Sequence, residues 1–141
     1  MKCISLWNPW AMLLVLGEKK FETRSWRLPD ALIGQRVAIH AAKHVDSETR
    51  ALCQTDPFRL ALNGVGLDFL PLGTIVGSVV FGAPWNTNHP KFPAMLADFS
   101  ASERAFGDFS PGRWAWPASE PQKLASPVPY RGAQGFFNVE I

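Results

Sequence analysis

The chain has 141 residues, 47% of them hydrophobic and 18% charged, with a net charge of +2. That size and composition give one globular domain, expected to span residues 1–141, with enough apolar material for a core, and no low-complexity tract interrupts it. The longest apolar run, Ala11 to Leu16, falls far short of the about 20 residues that cross a bilayer, and the start Met1 to Leu6 lacks a long apolar signal region. A cytoplasmic protein with Cys3 and Cys53 reduced is therefore expected, with no membrane and no obligate protein partner.

In chain order, Lys2 to Leu6 reads as a first strand, and Pro9 to Leu16 as a short helix with Pro9 in its first turn and Gly17 at its end. Phe21 to Trp26 and Gln35 to Ala41 alternate in the manner of strands around the turn Leu28-Pro29-Asp30. Asp46 to Leu62 is helical, with Asp46 or Ser47 as N-cap, broken at Pro57 and closed near Gly64, which predicts two short helices. Gly73 to Phe81 is the best buried strand, and Gly112 to Trp116 and Gly135 to Ile141 supply two more. Residues 82–111 are rich in Pro, Asn, Phe and Ser and predict a long loop over a site, holding one short helix at Ala101 to Phe106. The pattern is α+β, a mixed barrel of about six strands with short flanking helices.

The most informative stretch is Gly17-Glu18-Lys19-Lys20-Phe21-Glu22-Thr23-Arg24, which sets a lysine, a glutamate and an arginine in an apolar, Trp-rich neighbourhood. On a strand, Glu22, Arg24 and Trp26 share one face and Phe21, Thr23 and Ser25 the other, so the Glu22 and Arg24 Cβ atoms lie about 7 Å apart, within pairing reach. A carboxylate held by a guanidinium beside a lysine can orient a ligand and take part in proton transfer. The same alternation also describes a charged strand edge.

Charge is distributed unevenly. Residues 1–60 hold nine Lys and Arg against six Asp and Glu, and the remainder five against six, so the positive half is the half with Lys19 and Arg24. This footprint permits a small anionic ligand or single-stranded RNA and is too weak for a tight duplex-DNA binder. Among the six tryptophans, Trp7 and Trp10 flank a turn, Trp7-Asn8-Pro9-Trp10, where a ring can stack on a base, Trp26 reads equally as ligand contact or core, and Trp114 and Trp116 read as core. His40 and His44 are four apart but on a strand running into a loop, and with Cys3 and Cys53 they form no zinc-binding spacing, so no metal and no cofactor are expected. Arg50, Lys43 and Arg59 read as a solvated face.

The spacing Gly-x-Lys-x-x-Glu-x-Arg after a short apolar helix resembles the signature of the ASCH domains, relatives of the PUA-like RNA-binding barrels. The resemblance extends to Ser5-Leu6-Trp7-Asn8-Pro9-Trp10-Ala11, to Arg36 through Lys43, to Phe106 through Trp116 and to the ending Pro127 through Val139. It implies a PUA-like mixed barrel. Some small ASCH enzymes hydrolyse N4-acetylcytidine with a threonine nucleophile, a lysine and a later carboxylate. Carried over residue by residue, the lysine is Lys19, the carboxylate Asp108, with Ala105 at the spacing that precedes the family's acid, and the nucleophile position holds Glu22. A glutamate there implies a general base acting on water, with Lys19 stabilising the oxyanion.

Trp7, Asn8, Trp10, Arg24, Trp26, His40, Lys43 and Arg113 are the candidate substrate contacts. The expected function is hydrolysis of N4-acylated cytosine nucleosides. The alternatives are an RNA-binding module that reads single-stranded RNA or a modified base, with Arg24, Lys43 and Arg113 on phosphate, and a ribonuclease built on Lys19, Glu22 and Arg24. Substitution of Lys19 or Glu22 is expected to lower turnover and leave stability nearly unchanged.

Overall fold

The segment Trp10–Val15 is apolar on every side, so it can exist as a helix only if the rest of the chain encloses it. In the computed structural model, which describes residues 1–141, it does so. Ala11 to Val15 are all buried in this helix, α1 (Trp10–Val15). It packs on strands β3 (Arg36–Ala41), β4 (Thr74–Phe81) and β6 (Trp114–Pro129). The other strands are β1 (Lys2–Leu6), β2 (Phe21–Arg24), β5 (Trp85–Asn86) and β7 (Phe136–Asn138).

The strand order is β2-β6-β4-β3-β1-β7, with β5 added beside β6. The β1–β3 pair is parallel, with Ser5 opposite His40, and the other pairs are antiparallel. This mixed sheet curls into a half-barrel of the PUA-like α+β type. Its two end strands, β2 and β7, share no hydrogen-bonded ladder. Aromatic rings fill the seam between them: Trp26 meets Trp116 edge-on at 5.0 Å and Phe136 at 5.8 Å, and Trp116 stacks on Phe136 at 5.9 Å.

The turn after α1 decides where the charged motif goes. Gly17 has φ +78°, a left-handed value that glycine adopts without steric penalty. Beyond it the N–H groups of Glu18 and Lys19 both donate to the Leu13 carbonyl at 3.0 Å, folding the chain back under the helix before β2 begins.

Helices α2 (Ser47–Cys53) and α3 (Phe58–Ala61) lie where the sequence predicts them, with the Asp46 carboxylate capping the Thr49 N–H. Phe58 of α3 packs edge-on against Trp10 and Phe106. Three expectations are corrected. Residues 82–111 are not a loop with one helix but carry β5, α4 (Phe92–Ala97) and α5 (Ala101–Phe106). Strand β6 runs for 16 residues instead of stopping at Trp116. Strand β2 ends at Arg24, which leaves Trp26 beyond the sheet.

Trp116 is fully buried, yet its indole N–H has no hydrogen-bond partner. Trp116→Ala should therefore destabilise the fold by about 3–5 kcal/mol through the cavity it leaves. Trp116→Phe, which also removes an unpaired buried donor, should be markedly milder. Denaturant midpoints of the two variants provide the comparison, and equal losses would contradict it.

Candidate functional site

Strand β2 is too short to bury charges by its own hydrogen bonding, so the burial of Lys19 and Glu22 needs partners. Lys19 is 2% exposed and Glu22 6%. The Lys19 ammonium donates to the Phe21 carbonyl and, at 3.4 Å, to Glu22 Oε1. Glu22 Oε1 also accepts the Thr23 N–H at 3.2 Å, and Oε2 accepts Arg24 Nε at 3.1 Å. Arg24 extends its Nη2 to the Ser5 carbonyl of β1, 3.2 Å away. One carboxylate is thus clasped between two cations, leaving a net positive charge on the wall of a cavity of about 490 Å³.

The same cavity is lined by Trp7 and Trp10 from the β1–α1 turn and by Ala105 to Asp108 at the end of α5. Trp7 is 52% exposed, and one face of its indole is stacked on His44 at 3.7 Å. The α5 end is tied to β2: the Thr23 hydroxyl accepts the Asp108 N–H at 3.0 Å, and Arg113 donates from Nη2 to the Thr23 carbonyl at 3.3 Å. Arg113 also pairs with the Asp108 carboxylate at 3.3 Å.

The sequence pattern of the ASCH domain matches residues 4–82, a span that contains the whole Lys19 to Arg24 motif. The chain belongs to the ASCH domain family. Three crystal structures of an ASCH protein from Zymomonas mobilis have the same fold, each covered by 99% of this chain. The unsubstituted protein matches with a TM-score of 0.57 at 17% identity over 87% of its length. Two mutant forms give 0.58 at 18% identity over 87% and 0.56 at 17% identity over 89%. No curated protein matches the chain.

Lys19, Glu22, Arg24, Trp7, Trp10, Asp108 and Arg113 all line this one cavity. Four other candidates lie elsewhere. Asn8 is wholly buried, its amide NH₂ donating to the Pro71 carbonyl at 2.7 Å and its amide oxygen accepting the Met12 N–H at 3.3 Å, so it fastens the α1 turn and has no free group for a ligand. Trp26 closes the β2–β7 seam and carries the Arg24 guanidinium over its ring at 5.9 Å, supporting the arginine from behind. His40 and Lys43 line a separate cavity, because the parallel β1–β3 register sets the His40 ring on the Ser5 side chain.

The expected acid role of Asp108 also meets a physical objection. Hydrogen bonds from Ser110, with Arg113 beside it, hold its carboxyl below the ordinary range, so it stays ionised and has no proton to give. The substitution expectation changes as well. Truncating Lys19 would strip a buried carboxylate of one counter-charge, and breaking a buried pair of this kind costs about 3–5 kcal/mol.

Glu103 is the residue that sequence reasoning missed. Ser100 and Glu103 have capping-box spacing, and the Ser100 hydroxyl does accept the Glu103 N–H at 3.0 Å. The glutamate side chain is diverted from the box: Oε1 accepts the Lys20 N–H at 2.7 Å, while Oε2 is buried without a partner. Burial pushes its carboxyl above the ordinary value of 4.5, against the opposing pull of the Lys20 N–H and the Lys19 charge.

The two carboxyls leave opposite marks on stability. Glu103, raised in the folded state, contributes stability that is complete below its unfolded pKa and is lost as pH rises through the folded one. Asp108, lowered, contributes above its unfolded pKa and loses that as pH falls. Glu103→Gln should therefore narrow the fall in melting temperature between mildly acidic and neutral pH, and Asp108→Asn should flatten the loss below about pH 4. Melting curves across pH 3 to 8 read both slopes, and identical profiles for wild type and Glu103→Gln would contradict the assignment.

Proposed function

We propose that the chain hydrolyses the exocyclic amide of N4-acylated cytosine nucleosides, releasing the cytosine nucleoside and a carboxylic acid. The observation that carries this reading is the array of buried Lys19 and Glu22 with half-buried Arg24 on the wall of a cavity large enough for one nucleoside. Trp7 and Trp10 at the same cavity offer rings for the base.

In this mechanism a water molecule attacks the acyl carbon while Glu22 takes its proton. The carbonyl oxygen becomes an oxyanion beside Lys19, whose ammonium has three N–H donors, two of them engaged within the protein. As the C–N bond breaks, the protonated Glu22 returns its proton to the departing exocyclic nitrogen. One glutamate acts first as base and then as acid, and no role is left for an Asp108 proton.

A second reading, recognition of single-stranded RNA without chemistry, draws on the half-exposed Trp7 and on Arg113 at the rim.

The deciding experiment incubates the protein with N4-acetylcytidine and follows cytidine release beside RNA binding. Glu22→Gln, which keeps the side-chain shape and an acceptor for Thr23, should lower kcat by about 10²- to 10⁴-fold. Asp108→Asn should retain activity within a few-fold. Absence of cytidine release, together with RNA affinity that falls steeply with salt, would transfer the assignment to the binding module.

A further inference from the structure

A second cavity, of about 740 Å³, shares one lining residue, Ser5, with the first. The Ser5 carbonyl receives Arg24 on the first-site side, whereas its hydroxyl lies 2.8 Å from His40 Nδ1 in the second. His40 is 3% exposed, and its Nε2 lies 2.8 Å from the Tyr130 carbonyl. A carbonyl can only accept, so Nε2 carries a hydrogen and donates to it, and Nδ1 is left to pair with the Ser5 hydroxyl. The floor is therefore polar and internally satisfied. Gly132 closes over it so tightly that a Cβ there would lie 2.8 Å from His40 Cε1.

The rim differs in character. Lys43 and Arg131 both line this cavity and are exposed. Neither makes an ion pair or a side-chain hydrogen bond within the chain, and no Asp or Glu lines the cavity to neutralise them. Between Tyr130 and Gly135 the backbone N–H groups of residues 131–134 donate to no acceptor in the chain, lying outside every helix and strand. Two unpaired cations beside a run of free N–H donors form a concave surface complementary to an oxyanion, and a guanidinium fork suits phosphate in particular.

We infer that this second cavity is a phosphate subsite, taking the phosphate attached to the nucleoside whose base occupies the first, so that the substrate is a cytosine nucleotide and not the bare nucleoside. The inference rests on the nucleoside reading of the Lys19 site. The phosphate can belong to a free nucleotide or to an RNA chain, and the choice of ligands separates these sources.

Affinities of the full chain are measured by calorimetry for N4-acetylcytidine, its 5′- and 3′-monophosphates and a single-stranded cytidine pentanucleotide, with wild type and with Lys43→Ala/Arg131→Ala. At least one phosphorylated ligand should bind about tenfold or more tighter than the nucleoside, a ratio that salt reduces and the double variant brings near one. A gain for the monophosphates marks a free nucleotide, and a gain for the pentanucleotide alone marks an RNA chain. Phosphorylated ligands that bind no better than the nucleoside, or that keep their advantage in the double variant, overturn the subsite. If N4-acetylcytidine is neither bound nor hydrolysed, the hydrolase reading fails alone. The subsite then stands if the double variant weakens monophosphate or pentanucleotide binding about tenfold, and falls if it does not.

Discussion

Everything at this site depends on keeping two charges, Lys19 and Glu22, in a place that water barely reaches, beside the half-buried Arg24. Removing ions from water carries a penalty of several kcal/mol each, and attraction between them offsets it only when the remaining donors and acceptors are also satisfied. The chain meets that requirement locally. Lys19 has the Phe21 carbonyl, Glu22 has the Thr23 N–H, and Arg24 has the Ser5 carbonyl. Asp108 is paired with Arg113, so it does not cancel the surplus positive charge of the array. A site with that surplus is preorganised for negative charge that arrives with a ligand or develops during reaction.

The surrounding architecture serves this placement. The left-handed Gly17 turns the chain sharply enough to bring Lys19 beneath α1, and antiparallel pairing sets Glu22 opposite Trp116 and Arg24 opposite Trp114. Trp116 and Trp26 form the apolar backing, and Arg24 lies over the Trp26 ring. Helix α5 contributes from the other side, where Glu103 grips the Lys20 N–H just before β2. The diversion of a capping-box glutamate to that N–H, with one oxygen left buried and unpaired, shows that the β2 entry is held at the expense of the helix end and of the carboxyl's own solvation.

The motif and its turn were legible in the sequence because they are local: helix, glycine, strand and alternating charges lie within 15 residues, Trp10 to Arg24. Strand β6 was not, because Pro117, Pro121, Pro127 and Pro129 argue against a strand interior. Two of the four lie where the β4–β6 register shifts: Glu120 and Pro121 fall between the Ser78–Gln122 and Val80–Ser119 pairs, and Pro127 falls in the longer gap between Lys123 and Val128. A missing N–H does no harm at such bulges. The partners of Asn8 and His40 were not legible for another reason. Proximity to the motif in sequence cannot reveal that the Asn8 amide is consumed by Pro71, 63 residues away, or that β1–β3 pairing turns the His40 ring toward Tyr130.

If the site hydrolyses an amide as proposed, its charge balance bears on which group attacks. If Glu22 attacked an acyl group itself, the resulting mixed anhydride would be neutral, and Lys19 and Arg24 would face each other without a counter-charge once the oxyanion had collapsed. Proton transfer from water would avoid this. As Glu22 becomes neutral, the oxyanion becomes negative beside the same cations, so the charge moves within the cradle and never leaves it. In the proposed hydrolysis, passage of the proton to the departing nitrogen would restore the carboxylate and return the array to its resting pairing. The geometry that makes the triad stable in the absence of ligand is therefore the geometry that favours water, and not the glutamate, as the attacking group.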